Sequence, residues 1–143
     1  MPRIRAGYKG KYKLDKHEFY MAYHYALLYQ EWLAEYNALA DPSTGLRYDK
    51  DHVQTSGGMD TTEANGMRRA ELREKMEVIE ETVQAVDPTL YTWLLLGVTT
   101  DGISFNYLST SKRIPCGKNE YYAKRRQFYF ILANRIGIIG DIK

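Results

Sequence analysis

Leu72, Met76, Ile79, Val83 and Val86 recur at a 4-3-4-3 spacing. That spacing sets all five on one stripe of a helix, and an apolar stripe must be buried against another element. Asp60-Thr61-Thr62-Glu63 stands upstream with the spacing of a capping box, in which first and fourth residues satisfy each other's backbone N–H groups. The spacing therefore predicts a helix from there to about Val86. Glu71 and Lys75 add an i,i+4 ion pair in the favourable order. Asp15-Lys16-His17-Glu18 is a second capping box, and it opens a periodic segment to about Leu39. Phe19, Tyr23, Ala26, Leu27, Leu33 and Ala34 share much of one face of that segment, which Asp41-Pro42-Ser43-Thr44-Gly45 ends. Residues 46–59 read as a loop. Two such helices imply either an antiparallel hairpin with Leu72, Met76, Ile79 and Val83 in its core, or a homodimer seam built from the same residues.

Strand-type alternation is scarce, so the expected class is all-α: a long helical hairpin followed by a C-terminal helix-turn-helix. Asp87-Pro88 ends one helix and starts another, because Asp caps well and Pro suits the first helical position. Leu90, Tyr91, Trp93, Leu94, Leu95, Leu96 and Val98 make the next segment apolar on almost every side. It reads as the buried centre of the fold, fading at Thr99–Gly102. The expected division is a flexible basic arm over 1–14, a helical body over 15–100, the helix-turn-helix over 101–136 and a tail over 137–143.

The net charge of +2 hides a strong asymmetry. Residues 1–13 carry Arg3, Arg5, Lys9, Lys11 and Lys13 and no acid. Residues 14–102 carry seven cations against sixteen carboxylates, and residues 103–136 carry seven cations against Glu120 alone. Two basic ends flank an acidic body, and concentrated positive charge beside a helix pair is the electrostatic footprint of nucleic-acid binding.

Chemistry of other kinds finds little to work with. Cys116 is the only cysteine, so no internal disulfide forms, and an intracellular, cytoplasmic setting is the simplest reading. No apolar run approaches membrane-spanning length, and the basic N-terminus lacks the apolar stretch of a signal peptide. His17, His24 and His52 are the only histidines and are not spaced to clip a metal. Cys116 shows no base beside it for nucleophilic work. Glu77, Glu80 and Glu81 lie opposite the apolar stripe and read as a solvent face, while Trp32 and Trp93 read as core. No phosphate-binding loop, nucleophile elbow or zinc-protease motif is present. The expectation is a protein that is not an enzyme and takes no cofactor or metal.

The last forty residues carry the candidate site. A short helix is expected from about Ser104 to Lys112, a tight turn over Ile114-Pro115-Cys116-Gly117, and a long helix from about Lys118 to Arg135. Leu108, Ile114, Tyr121, Phe128 and Leu132 form a small shared core, with Pro115 breaking the first helix and Gly117 allowing the change of direction. On the second helix Lys118, Tyr122 and Arg126 fall at i, i+4 and i+8, flanked by Asn119 and Arg125, and Lys112-Arg113 ends the first. Arg and Asn pair with base edges, while Lys and Tyr suit phosphate oxygens.

Tyr107-Leu108, Ile114-Pro115-Cys116-Gly117-Lys118, Tyr121-Tyr122, Arg125-Arg126 and Phe128 resemble the C-terminal part of small phage and prophage proteins of Gram-positive bacteria. Tyr12-Lys13-Leu14, Glu31-Trp32, Tyr48-Asp49-Lys50-Asp51 and Arg68-Arg69-Ala70-Glu71-Leu72 extend the resemblance over most of the chain. That group in turn resembles ArpU- and RinA-type late-gene transcription regulators, whose C-terminal half is similar to the promoter-reading region 4 of sigma factors. The resemblance implies a phage DNA-binding regulator with Lys118, Asn119, Tyr122, Arg125 and Arg126 on its reading helix. Duplex DNA is the expected partner. The basic arm would clamp phosphates or enter the minor groove, and the acidic body would join two copies or touch host RNA polymerase or another host protein. A small terminase subunit, or an inhibitor binding a host defence nuclease, are the rival readings.

Overall fold

The computed structural model describes residues 10–40 and 61–137. Among these the protein is all-α, with five helices and no strand: α1 (Lys16–Ala40), α2 (Thr61–Val86), α3 (Tyr91–Thr99), α4 (Phe105–Thr110) and α5 (Lys118–Arg135). A short 3-10 turn over Pro88–Leu90 links α2 to α3. The Asp60 cap, the loop containing His52, the arm residues Arg3, Arg5 and Lys9, and tail residues 138–143 lie outside the described residues.

The start of α1 is the capping box read from the sequence. The Glu18 N–H donates to Asp15 Oδ1 at 2.9 Å, and the Asp15 N–H donates to Glu18 Oε1 at 3.0 Å. From there α1 and α2 run antiparallel, since Glu35 meets Arg68, Trp32 meets Lys75 and Tyr29 meets Glu80. Leu72, Met76, Ile79 and Val83 are fully buried within the one chain. They form the core of the hairpin, which leaves that stripe no face for a dimer. The stripe on α1 is rotated from the one expected. Phe19, Ala22, Tyr23, Ala26, Tyr29 and Trp32 are buried, Leu27 and Leu33 only half-buried, and Ala34 exposed. Ala22 and Ala26 give the neighbouring helices room to approach, and tyrosine rings replace leucines in the contact.

The tyrosines explain part of that rotation, because Tyr23 and Tyr29 are turned to where their hydroxyls find partners. Tyr23 donates to Asp101, in the α3–α4 connection. Tyr29 donates to Glu80 Oε2 at 2.6 Å. Glu80 is therefore half-buried, and it also accepts from Arg73. This corrects the reading of Glu80 as solvent face: a carboxylate reaches inward where a phenol and a guanidinium meet it. Burial together with these carboxylates raises both phenols, with Tyr23 pushed up to about 12.

Asp87 accepts from the N–H groups of Thr89 at 3.0 Å and Leu90 at 3.3 Å, with Pro88 at the first position of the turn. Leu90 of the turn and Leu94 and Val98 of α3 make the buried line. Tyr91, Trp93, Leu95 and Leu96 are half-buried, so α3 is a covered flank rather than an enclosed centre. Gly97 lets α5 come close: a Cβ there would stand 2.1 Å from Tyr121 Oη.

α5 lies across α1, α2 and α3. Tyr121, Phe128, Tyr129, Leu132 and Ala133 are its buried side, and Phe19 and Tyr129 meet edge to face at 5.1 Å. Residues 10–14 join this body: Leu14 is buried and the Tyr12 ring meets Phe130 at 5.6 Å. The flexible arm expected over 1–14 does not include this stretch, because Leu14 and Tyr12 both gain apolar contact by packing.

Candidate nucleic-acid interface

α4 is only six residues long and is fixed by its surroundings. The Ser104 hydroxyl caps it by accepting from the Tyr107 N–H at 3.1 Å. Tyr122 Oη accepts from the Phe105 N–H at 3.3 Å, tying the start of α4 to α5. At the other end the Trp93 indole N–H donates to the Lys112 carbonyl at 2.7 Å. Leu108 is fully buried between these ties, in the small core foreseen with Ile114, Tyr121, Phe128 and Leu132, all of them buried.

The corner between α4 and α5 occupies residues 111–117. Its geometry corrects the roles given to Pro115 and Gly117. α4 ends before Pro115 is reached, and Gly117 has an ordinary φ of −85° with open space around its Cβ position. The reversal is made by Arg113, the one described non-glycine residue with positive φ (56°). The Ile114 N–H then reaches back to the Leu108 carbonyl at 3.0 Å. A left-handed residue, a backbone hydrogen bond that reaches six residues back, and the buried apolar pair Leu108 and Ile114 together close this helix end. The usual residue at the left-handed position is glycine, since a Cβ there costs about 1–2 kcal/mol. Here it is an exposed arginine.

This corner sets out the charge. Lys112, Arg113, Lys118 and Asn119 are all exposed. The three cations have no ion pair among the described residues; the Lys112 ammonium stands 5.9 Å over the Tyr107 ring. The first turn of α5 has no side-chain cap, as Gly117 has none to offer. Glu120, also exposed, sits in that first turn, where a carboxylate is favourable to the helix dipole.

The rest of the expected reading face is arranged differently. Tyr122 is half-buried and used as the anchor for α4. Arg125 is half-buried and stacked over the Tyr122 and Tyr129 rings at 4.8 and 5.9 Å. Arg126 is half-buried on the flank of α5. Lys124, which the sequence did not single out, pairs with Asp87 at 3.4 Å. The expected line Lys118–Tyr122–Arg126 thus runs along the edge of α5. The solvent side is centred nearer Asn119 and Ala123, because Tyr121 and Phe128 fix the opposite side inward. Lys11 and Lys13, both exposed, flank Tyr12 where it meets Phe130. Phe130 lies about 18 Å along α5 from Lys118 at the helical rise per residue, so the helix carries a cationic group near each end.

Among the described residues, the other candidate side chains are placed as follows. Cys116 is half-buried, and burial, with Glu120 and Asp87 nearby, raises its thiol, the opposite of an activated nucleophile. His17 and His24 are exposed, and among the described residues no group of His, Cys, Asp or Glu is placed to hold a metal. Among the described residues no helix is long and apolar enough to cross a membrane. No family model, curated protein or solved structure matches the chain.

Proposed function

We propose that this protein binds duplex DNA through a helix-turn-helix formed by α4, the 111–117 corner and α5, and acts as a regulator of transcription of the phage type. The observation carrying this reading is the corner itself: Lys112, Arg113 and Lys118 exposed, with no ion pair among the described residues, around the uncapped start of α5. Helix N-termini receive phosphate through free N–H groups and the dipole. In a helix-turn-helix the N-terminal residues of the second helix are those that meet base edges. Asn119 is the residue in that position with base-reading chemistry, most naturally toward adenine. Lys112, Arg113 and Lys118 then hold phosphates and fix the register. Arg126 takes a later contact on the same helix, and Lys11 and Lys13 extend the charged surface.

Selection of bound sequences from random duplexes tests this, with wild type, Asn119→Ala and the Lys112/Arg113/Lys118 triple alanine in parallel. Asn119→Ala is expected to flatten preference at one base position, a change of about 1–3 kcal/mol there. The triple alanine is expected to weaken binding evenly across sequences and lower the log–log salt slope by about 2.7. Absence of duplex binding by wild type at low salt defeats the proposal.

A further inference from the structure

α3 turns Leu94 and Val98 into the body of the protein, while Thr92, Trp93 and Leu96 lie off that buried line. Together with Lys112, from the corner after α4, these three line an open cleft of about 400 Å³. Small-molecule sites begin at about this volume, and they combine apolar walls with a few placed polar groups. Here Trp93 and Leu96 supply the apolar walls. The Trp93 indole N–H already donates to the Lys112 carbonyl at 2.7 Å, so the indole has only carbon to offer an occupant. Polar groups come from Thr92 and Lys112, both exposed.

The chemistry of an occupant follows from these groups. Lys112 carries the one charge among the lining residues. Its ammonium has no ion pair among the described residues and stands 5.9 Å over the Tyr107 ring, at the outer limit of a cation–π contact. A cation held so loosely gives up little in turning to a carboxylate, and it gains a charge-assisted hydrogen bond. The indole favours a flat aromatic body, met offset-stacked or edge to face. A wholly apolar occupant would leave the ammonium without a partner. A bare anion would leave Trp93 and Leu96 facing water. One molecule that carries both an aromatic ring and a carboxylate satisfies the two ends of the cleft together.

We infer that this cleft is a binding site for a small aromatic carboxylate, its ring against Trp93 and Leu96 and its carboxylate on Lys112. Lys112 is also one of the corner cations assigned to phosphate. A consequence that rests on the DNA-binding reading is that ligand and duplex compete for this lysine, so each weakens the other by the same factor.

The probes are 2-naphthoate, its neutral analogue 2-naphthamide, and acetate as the anion alone. Binding to the full chain is followed without DNA by nitrogen–proton NMR of the two indole N–H groups, told apart with Trp93→Phe. Naphthoate is expected to move the Trp93 signal and leave that of Trp32 in place, with a dissociation constant of about 1 mM or tighter. Naphthamide is expected to bind about tenfold more weakly, and acetate to leave the Trp93 signal unmoved. Lys112→Met, which keeps the stem and removes the charge, should bring naphthoate down to the naphthamide level. Thr92→Glu, at an exposed position, should weaken naphthoate by repulsion with unchanged urea unfolding. A still Trp93 signal, equal binding of naphthoate and naphthamide, or naphthoate binding untouched by Lys112→Met overturns the inference. Gel shifts then add naphthoate against an equal concentration of acetate. Duplex affinity is expected to fall several-fold in wild type and not in Lys112→Met. Naphthoate bound at Trp93 with duplex affinity unchanged overturns the competition. Failure of wild type to bind any duplex defeats the DNA-binding reading instead, and the NMR titration still decides the cleft.

Discussion

Gly97 has no side chain because the Tyr121 hydroxyl fills the space a Cβ would need. Gly97→Ala is expected to lower stability by about 1–3 kcal/mol through overpacking, measured by urea unfolding. Tyr121 Oη is buried with no hydrogen-bond partner, so Tyr121→Phe should be neutral or stabilising, since a buried unpaired hydroxyl costs free energy. The double variant should recover part of the loss, because the hydroxyl is the nearest obstruction. Burial pushes the Tyr121 phenol up to about 12. An acid whose folded value lies above its unfolded value near 10 contributes stability that is complete below pH 10 and lost as pH rises toward 12. Wild type is therefore expected to lose more stability over that range than Tyr121→Phe. Arg113 presents a different case, as its left-handed backbone is strained while its side chain is offered to solvent. Arg113→Gly should raise stability by about 1 kcal/mol while weakening duplex binding. That opposite movement in unfolding and gel-shift titrations separates a residue kept for contact from one kept for the fold.

At the scale of elements, the helices differ in what makes them helices. α1 and α2 are long, capped or periodic, and packed along their length. α4 is too short to be stable alone and exists because Ser104, Tyr122 and Trp93 hold its ends while Leu108 enters the core. Tyr122→Phe is expected to speed hydrogen exchange at the Phe105 amide and leave the amides of α2 unchanged, the signature of local rather than global opening. Asp87 serves two elements at once, capping the turn before α3 and pairing with Lys124 of α5. Asp87→Ala should cost about 1–2 kcal/mol, chiefly through the lost cap, since the single ion pair adds little.

For the whole molecule, the hairpin is a platform on which α5 is laid, with residues 12–14 packed beside that helix. Leu14 anchors the first described residues to that platform, and Tyr12 meets α5. Leu14→Ala is expected to reduce stability by about 2–5 kcal/mol, far more than an arm apart from the fold would show. Electrostatics across the hairpin is spread thinly over its surface. Glu35 is held below the usual carboxylate range by the Arg68 guanidinium. Its contribution is present above the ordinary Glu value and is lost as pH falls through the lowered one; at this exposure it is small.

The sequence by itself determined where α1 begins and where α2 gives way to the turn before α3, because a capping box and Asp-Pro act within a few residues of chain. α5 was legible as Lys118–Arg135, as was the apolar set that α4 and α5 share. Only the tertiary structure decided how each helix is rotated about its axis. Tyr29 and Tyr122 have amphipathic side chains that suit either face, and Glu80 is drawn inward by partners 51 and seven residues away. For the same reason the exposed part of the candidate site contracted to the corner around Arg113. Which cations point outward depends on which neighbouring side chains α3 and α1 bury, and that competition is settled by packing between elements distant in sequence.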